Sequence, residues 1–178
     1  MATTLKQEEA VPASYPEAPT GLSTEAAALD ADFIWQRIEA YTTRRYTERA
    51  VVWVVEGCGE WLPPLAPAII STTEVWSRAG LWETAYLAAS PLGGFILPAT
   101  GPYRFVASVG VGDMPASVAE AYRRLAEYFA VVATNAVPGV RQDATEGIGS
   151  ATYDAGAVAK AMERSGAGDL LRPYRRVS

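Results

Sequence analysis

The sequence predicts an α+β protein: a helical bundle around a central helix at about residues 115–134, with a small antiparallel β-sheet inserted at about residues 50–110 and an extended C-terminal tail. Three observations lead there. Residues 115–134 repeat their apolar positions with a helical period. At residue 50 the pattern changes to β-branched and aromatic, with Gly and Pro punctuation every eight to twelve residues. The last eleven residues mix a few apolar side chains with three arginines and cannot form a core.

In the central segment Val118, Tyr122, Leu125, Phe129 and Val132 line one face. Ala119, Ala126 and Ala133 widen it on one side, Ala121 and Tyr128 on the other. The remaining strip, Glu120, Arg123, Arg124 and Glu127, reads as a solvated edge with charges spaced to pair along the helix. Pro115 suits the first turn, because its missing N–H has no partner to lose there, and Val137-Pro138-Gly139 marks the stop. A helix apolar over so much of its circumference needs cover on more than one side, from its own chain or a neighbouring copy.

In chain order, residues 1–22 carry Pro12, Pro16, Pro19 and Gly21 among acids and small residues, and read as an irregular N-terminal arm. Ser23 can cap a short turn, or the first helix starts nearer Asp30. From there Leu29, Phe33, Ile34, Ile38 and Tyr41 form an apolar arc running to about Tyr46. Trp35 and Tyr46 lie off that arc, where an indole is either covered by the following strands or a subunit contact. Extended runs follow at 50–55, 68–76, 81–88, 95–97 and 103–109, which reads as a meander with breaks at Gly57-Cys58-Gly59 and Thr100-Gly101-Pro102. Residues 140–153 read as a mobile loop, and a short helix then ends at Ser165-Gly166. The expected organisation is an arm (1–22), one domain (23–165) and a tail (166–178).

Composition excludes much chemistry. The 178-residue chain has one cysteine and no histidine, which removes an internal disulfide, the commonest metal ligand and the commonest general base. Cys58 has no histidine to activate it and reads as a small turn residue. Gly110-Val111-Gly112 before the central helix resembles a nucleotide loop only superficially: Asp113 sets a carboxylate where a phosphate would lie, so the glycines are read as shaping a turn. No catalytic or metal-binding constellation is found, and no cofactor is expected. No apolar run is long enough to span a membrane, and the N-terminus lacks a signal peptide, so synthesis in the cytoplasm is expected. The net charge of -5 is uneven. Residues 1–32 hold one base against six acids, and residues 160–178 five bases against two acids.

Several stretches together resemble one family. They are Ile38-Glu-Ala-Tyr-Thr-Thr-Arg44 before a sheet; Gly101-Pro-Tyr-Arg-Phe105 leading into Val109-Gly-Val-Gly-Asp-Met-Pro115; Glu120-Ala-Tyr-Arg-Arg-Leu-Ala-Glu-Tyr128; and the ending Ala161-Met-Glu-Arg-Ser-Gly-Ala-Gly-Asp-Leu-Leu-Arg-Pro-Tyr-Arg-Arg176. Their order, from about residue 30 to the end, is similar to the head–tail connector (adaptor) family of tailed phages and gene transfer agents. The resemblance implies a structural, non-enzymatic virion protein at the head–tail junction, made in the bacterial host cytoplasm. It implies a homo-oligomeric ring of about a dozen copies beneath the portal that extends the DNA channel and receives the tail. The implied partners are the portal protein, a tail or neck protein such as a stopper or tail terminator, neighbouring copies, and passing double-stranded DNA held without sequence preference. By the same resemblance Leu170, Leu171, Arg172, Pro173, Tyr174, Arg175 and Arg176 would dock on the portal. Trp35, Tyr46 and Tyr128 are the expected subunit-interface residues, and Trp35, Trp76 and Trp82 read as spare aromatics of the kind a subunit completed by its neighbours carries. Two other readings stay open: a tail-side stopper or completion factor and, in another class, a small DNA-binding regulatory protein using the basic end on phosphates.

Overall fold

The computed structural model describes residues 2–135, 143–145, 148–151 and 158–175. The chain forms two compact units: residues 1–15 with 43–113, and residues 16–42 with 114–178.

The first unit is one antiparallel sheet. Its strands are β1 (Thr3–Glu9), β2 (Arg49–Trp61), β3 (Ala68–Trp76), β4 (Trp82–Thr84), β5 (Ala88–Ala89) and β6 (Phe95–Val109). The order is β1-β2-β6-β3-β4, with β5 paired to β6 outside that path. The expected helical bundle with a small inserted sheet is therefore corrected: a six-stranded sheet dominates, and the helices are few and mostly short. Nor is the sheet a meander, since β6 returns between β2 and β3. The two expected breaks lie inside long strands. Gly57 and Gly59 have φ of 114° and 87° and straddle a register shift, so they absorb a bulge in β2 rather than end it. Pro102 sits within β6 opposite Glu56.

Alternation along β2 and β6 builds the core of this unit. Val51, Trp53, Val55, Tyr103, Phe105, Ala107 and Val109 point to one face and are buried with Trp61, Leu65 and Leu97. Trp61 stacks on Phe105 with centroids 4.1 Å apart and meets Trp53 edge-on at 5.8 Å. The irregular arm is also corrected at residues 3–9. They form the edge strand, and their polar side chains complete the aromatic core: Trp53 Nε1 donates to Gln7 Oε1 (2.8 Å) and Trp61 Nε1 to Thr4 Oγ1 (2.9 Å). An indole buried without an acceptor is costly, which gives the half-buried Thr4 and the exposed Gln7 a reason to be polar. At the end of β6 the chain turns through Gly110, whose φ of 84° and position leave no room for a side chain. A Cβ there would lie 2.1 Å from the Thr47 carbonyl oxygen.

The second unit is helical: α1 (Thr24–Ala27), α2 (Ala31–Thr42), α3 (Ala116–Asn135), α4 (Ala161–Arg164), α5 (Ala167–Leu171) and a 3-10 turn at Arg172–Tyr174. It also carries a short hairpin of β7 (Asp143–Thr145) and β8 (Ile148–Ala151) within the stretch expected to be a loop. Helix α3 falls where the apolar periodicity puts it and buries Val118, Ala121, Tyr122, Leu125, Ala126, Phe129 and Ala130. Its polar strip is not simply solvated. Glu120 pairs with both Arg123 and Arg124, Arg123 Nη2 donates to the Thr20 carbonyl (3.0 Å), and Glu127 accepts from Ser23 N (2.7 Å) and Ser23 Oγ (2.8 Å). Ser23 in turn caps α1 through the Ala26 amide, and Asp30 Oδ1 accepts from Asp32 N at the start of α2.

Candidate docking surfaces

The C-terminal segment is built on close packing. Gly166 takes the left-handed conformation (φ 72°), which ends α4 and redirects the chain into α5. Gly168 then lies so near its neighbours that a Cβ would sit 3.1 Å from the Met162 carbonyl oxygen and 3.2 Å from the Tyr41 hydroxyl. The Tyr41 hydroxyl donates to the Gly168 carbonyl (3.4 Å), Leu171 is fully buried, and the Tyr174 hydroxyl bonds Ser117 Oγ (2.8 Å) at the start of α3.

The expected extended tail is therefore folded as far as Arg175. Leu171 is a core residue and not a free anchor. Leu170 and Tyr174 are half-buried, while Arg172, Pro173 and Arg175 are exposed. Arg172 pairs with Asp169 (3.1 Å), with both side chains more than three-quarters exposed, and the Arg175 guanidinium lies over the Tyr41 ring. Arg176 lies outside the described residues. The structure thus leaves Arg172 and Arg175 exposed to solvent and takes Leu171 into the interior.

Of the expected interface aromatics, Trp35 is corrected outright. It is fully buried in its own unit, 4.8 Å from the Tyr122 ring, and its Nε1 donates to the Pro16 carbonyl (2.8 Å). The sequence offered strands or a subunit as cover; α3 and the arm at Pro16 supply it. Tyr128 is half-buried with its ring edge-on to Phe129, and Tyr46 is half-buried in the sheet unit.

Electrostatically, the strongest feature is a cluster the sequence did not reveal. The Glu9 carboxylate receives Arg45 Nε (2.5 Å) and Nη2 (2.8 Å) and Arg49 Nη1 (3.2 Å), and the Tyr15 ring lies against the Arg49 guanidinium. Burial raises the Glu9 pKa, but the Arg45 hydrogen bond and the two guanidinium charges outweigh it and hold it below the ordinary glutamate value. Hydrogen bonds from Arg104 and from the Ser23 amide likewise lower Glu74 and Glu127. All three are clamps between elements of one unit. Among the described residues no group of three or more His, Cys, Asp or Glu could hold a metal ion, and no helix is long and apolar enough to cross a membrane. Cys58 is exposed within the β2 bulge.

The fold has a counterpart among solved structures. It occurs in the neck of an empty gene transfer agent (GTA) particle computed with C6 symmetry, where a chain matches with a TM-score of 0.52 and 14% identity, covering 98% of this chain and 97% of that one. No family model matches the chain, and no curated protein does.

Proposed function

We propose that this chain is the structural head–tail adaptor of a virion, forming a ring under the portal that extends the DNA channel and attaches the tail, with no enzymatic activity. The observation that carries the reading is the end-to-end likeness in fold to a neck component. The family resemblance of the sequence supports it independently, through the order of its stretches from about residue 30 onward. The exposed arginines of the last helical turns provide a chemically suitable contact, because a guanidinium grips a carboxylate with two parallel hydrogen bonds that lysine cannot reproduce. Portal docking is accordingly assigned to Leu170, Arg172, Pro173, Tyr174, Arg175 and Arg176, with Leu171 supporting them from below.

The mass of the purified protein, alone and mixed with its portal protein, tests the proposal. A ring of about a dozen copies in either condition is expected. A chain that stays monomeric in both sinks it. A chain that binds purified tails but not portal is instead a tail-side stopper or completion factor.

A further inference from the structure

A closed ring needs two different surfaces on each copy, one engaging the next copy and one engaged by the previous. Each unit offers one candidate. In the helical unit, Leu29, Phe33, Ile34, Phe129, Val132, Ala133 and Val158 line an apolar cavity of about 360 Å³ with Asp30 at its rim. Its walls are fixed. Phe33 and Phe129 pack with centroids 5.6 Å apart, and Arg37 lies over both rings while its Nη2 donates to the Val158 carbonyl (3.0 Å). That cation is occupied with the walls. The carboxylates of Asp30 and Asp32 at the start of α2 are exposed, and they lie near enough to add to burial in pushing the Tyr122 phenol up.

In the sheet unit the β3–β4 hairpin ends in a tight turn. Ser77 N donates to the Leu81 carbonyl (2.9 Å) and Gly80 N to the Ser77 carbonyl (3.1 Å), with Gly80 at φ 75°. The turn presents Leu81, 63% exposed, beside Trp76, 44% exposed, whose ring meets Trp82 edge-on. Arg78 is exposed on the same turn. The base of the hairpin is braced by the Arg104–Glu74 ion pair, with the Arg104 guanidinium over the Trp82 ring. A rigid projection with exposed leucine and tryptophan loses little entropy on docking.

We propose that the β3–β4 hairpin tip of one copy seats in the apolar cavity of the next, with Leu81 and the edge of Trp76 entering between Phe33, Phe129 and Val132, and Arg78 meeting Asp30. The fit rests on complementarity of both kinds. The projection is apolar and carries a cation, and the cavity is apolar and rimmed by a carboxylate. Knob and socket differ, so a head-to-tail contact between them can propagate around an axis and close as a ring. The inference rests on the ring reading above and names the surfaces that make the ring.

The test uses the full chain in a Cys58→Ser background. One population carries Leu81→Cys and a second Ala133→Cys, and a disulfide-linked dimer is expected only when the two are mixed under ring-forming conditions, with portal present if it is required. Leu81→Asp, at an exposed position, should keep the melting temperature and weaken assembly at least about tenfold. Arg78→Ala and Asp30→Asn should each weaken assembly, and together no more than the stronger one alone; asparagine retains the acceptor that caps α2. Rings that form without the mixed disulfide and tolerate Leu81→Asp overturn the knob and socket while the ring itself stands. Disulfide capture of portal or tail protein in place of the second copy overturns the choice of occupant. A chain that never assembles, alone or with portal, removes both the ring and this contact.

Discussion

Glu9 ties the end of the N-terminal strand to Arg45 and Arg49, one carboxylate answering two guanidinium groups whose side chains are 14% and 4% exposed. Its removal leaves those charges in poor solvent, and Glu9→Ala should cost about 3 kcal/mol, measured by urea unfolding. The pH dependence follows from the direction of its shift. The folded carboxyl titrates below its unfolded value, so the stabilisation is fully present above the ordinary glutamate pKa and is lost as pH falls through the depressed folded value. Wild-type stability should therefore fall on acidification below the ordinary glutamate range, and Glu9→Gln should flatten part of that slope; an unchanged slope would contradict the clamp. At the other end of the chain, Leu171→Ala should destabilise by about 2–4 kcal/mol, whereas the paired change Arg172→Glu and Arg175→Glu should leave the melting temperature near wild type and abolish binding to portal. A reversed pattern, with Leu171→Ala stable but unable to bind portal, would restore Leu171 as an anchor.

At the scale of elements, β1 shows how a polar stretch comes to serve a core it does not enter. Its sequence, Thr-Thr-Leu-Lys-Gln-Glu-Glu, has no apolar alternation because one edge and much of one face meet solvent, and Lys6 pairs with Glu8 there. Such charges guard a sheet edge against pairing with another chain. Thr4 and Gln7 are polar because the groups they meet are indole N–H donors. Gln7→Ala should cost about 1–3 kcal/mol by stranding the Trp53 N–H, with a change in tryptophan emission; no change in stability would mean that water replaces the glutamine. Helix α3 was legible for the opposite reason. Its apolar side chains are close in sequence, so their period is visible without knowing what covers them. The partners of its polar strip were not legible, because Thr20 and Ser23 are a hundred residues away.

For the whole molecule, 20 acids outnumber 15 bases, and most described ion pairs lie within one unit. Such a chain should not retard a short DNA duplex at moderate salt, which suits the proposed lining of a DNA channel. In an assembled ring, carboxylates should be prominent around the lumen. A salt-dependent gel shift, or a lumen ringed by unpaired arginines, would favour the DNA-binding reading instead. The sequence by itself determined what depends on local pattern and on absolute composition: the position of α3, the extended character of residues 50–55, 68–76 and 103–109, the lack of histidine-based chemistry, and the family resemblance carried by four stretches between Ile38 and Arg176. Only the tertiary structure decided that β6 inserts between β2 and β3, that residues 3–9 close the sheet edge, and that Trp35 and Leu171 are interior rather than available to partners. Strand neighbours and burial are set by contacts between residues far apart in the chain. Whether a tryptophan or leucine faces a partner or a core depends on what the rest of the chain brings over it, and no local pattern records that.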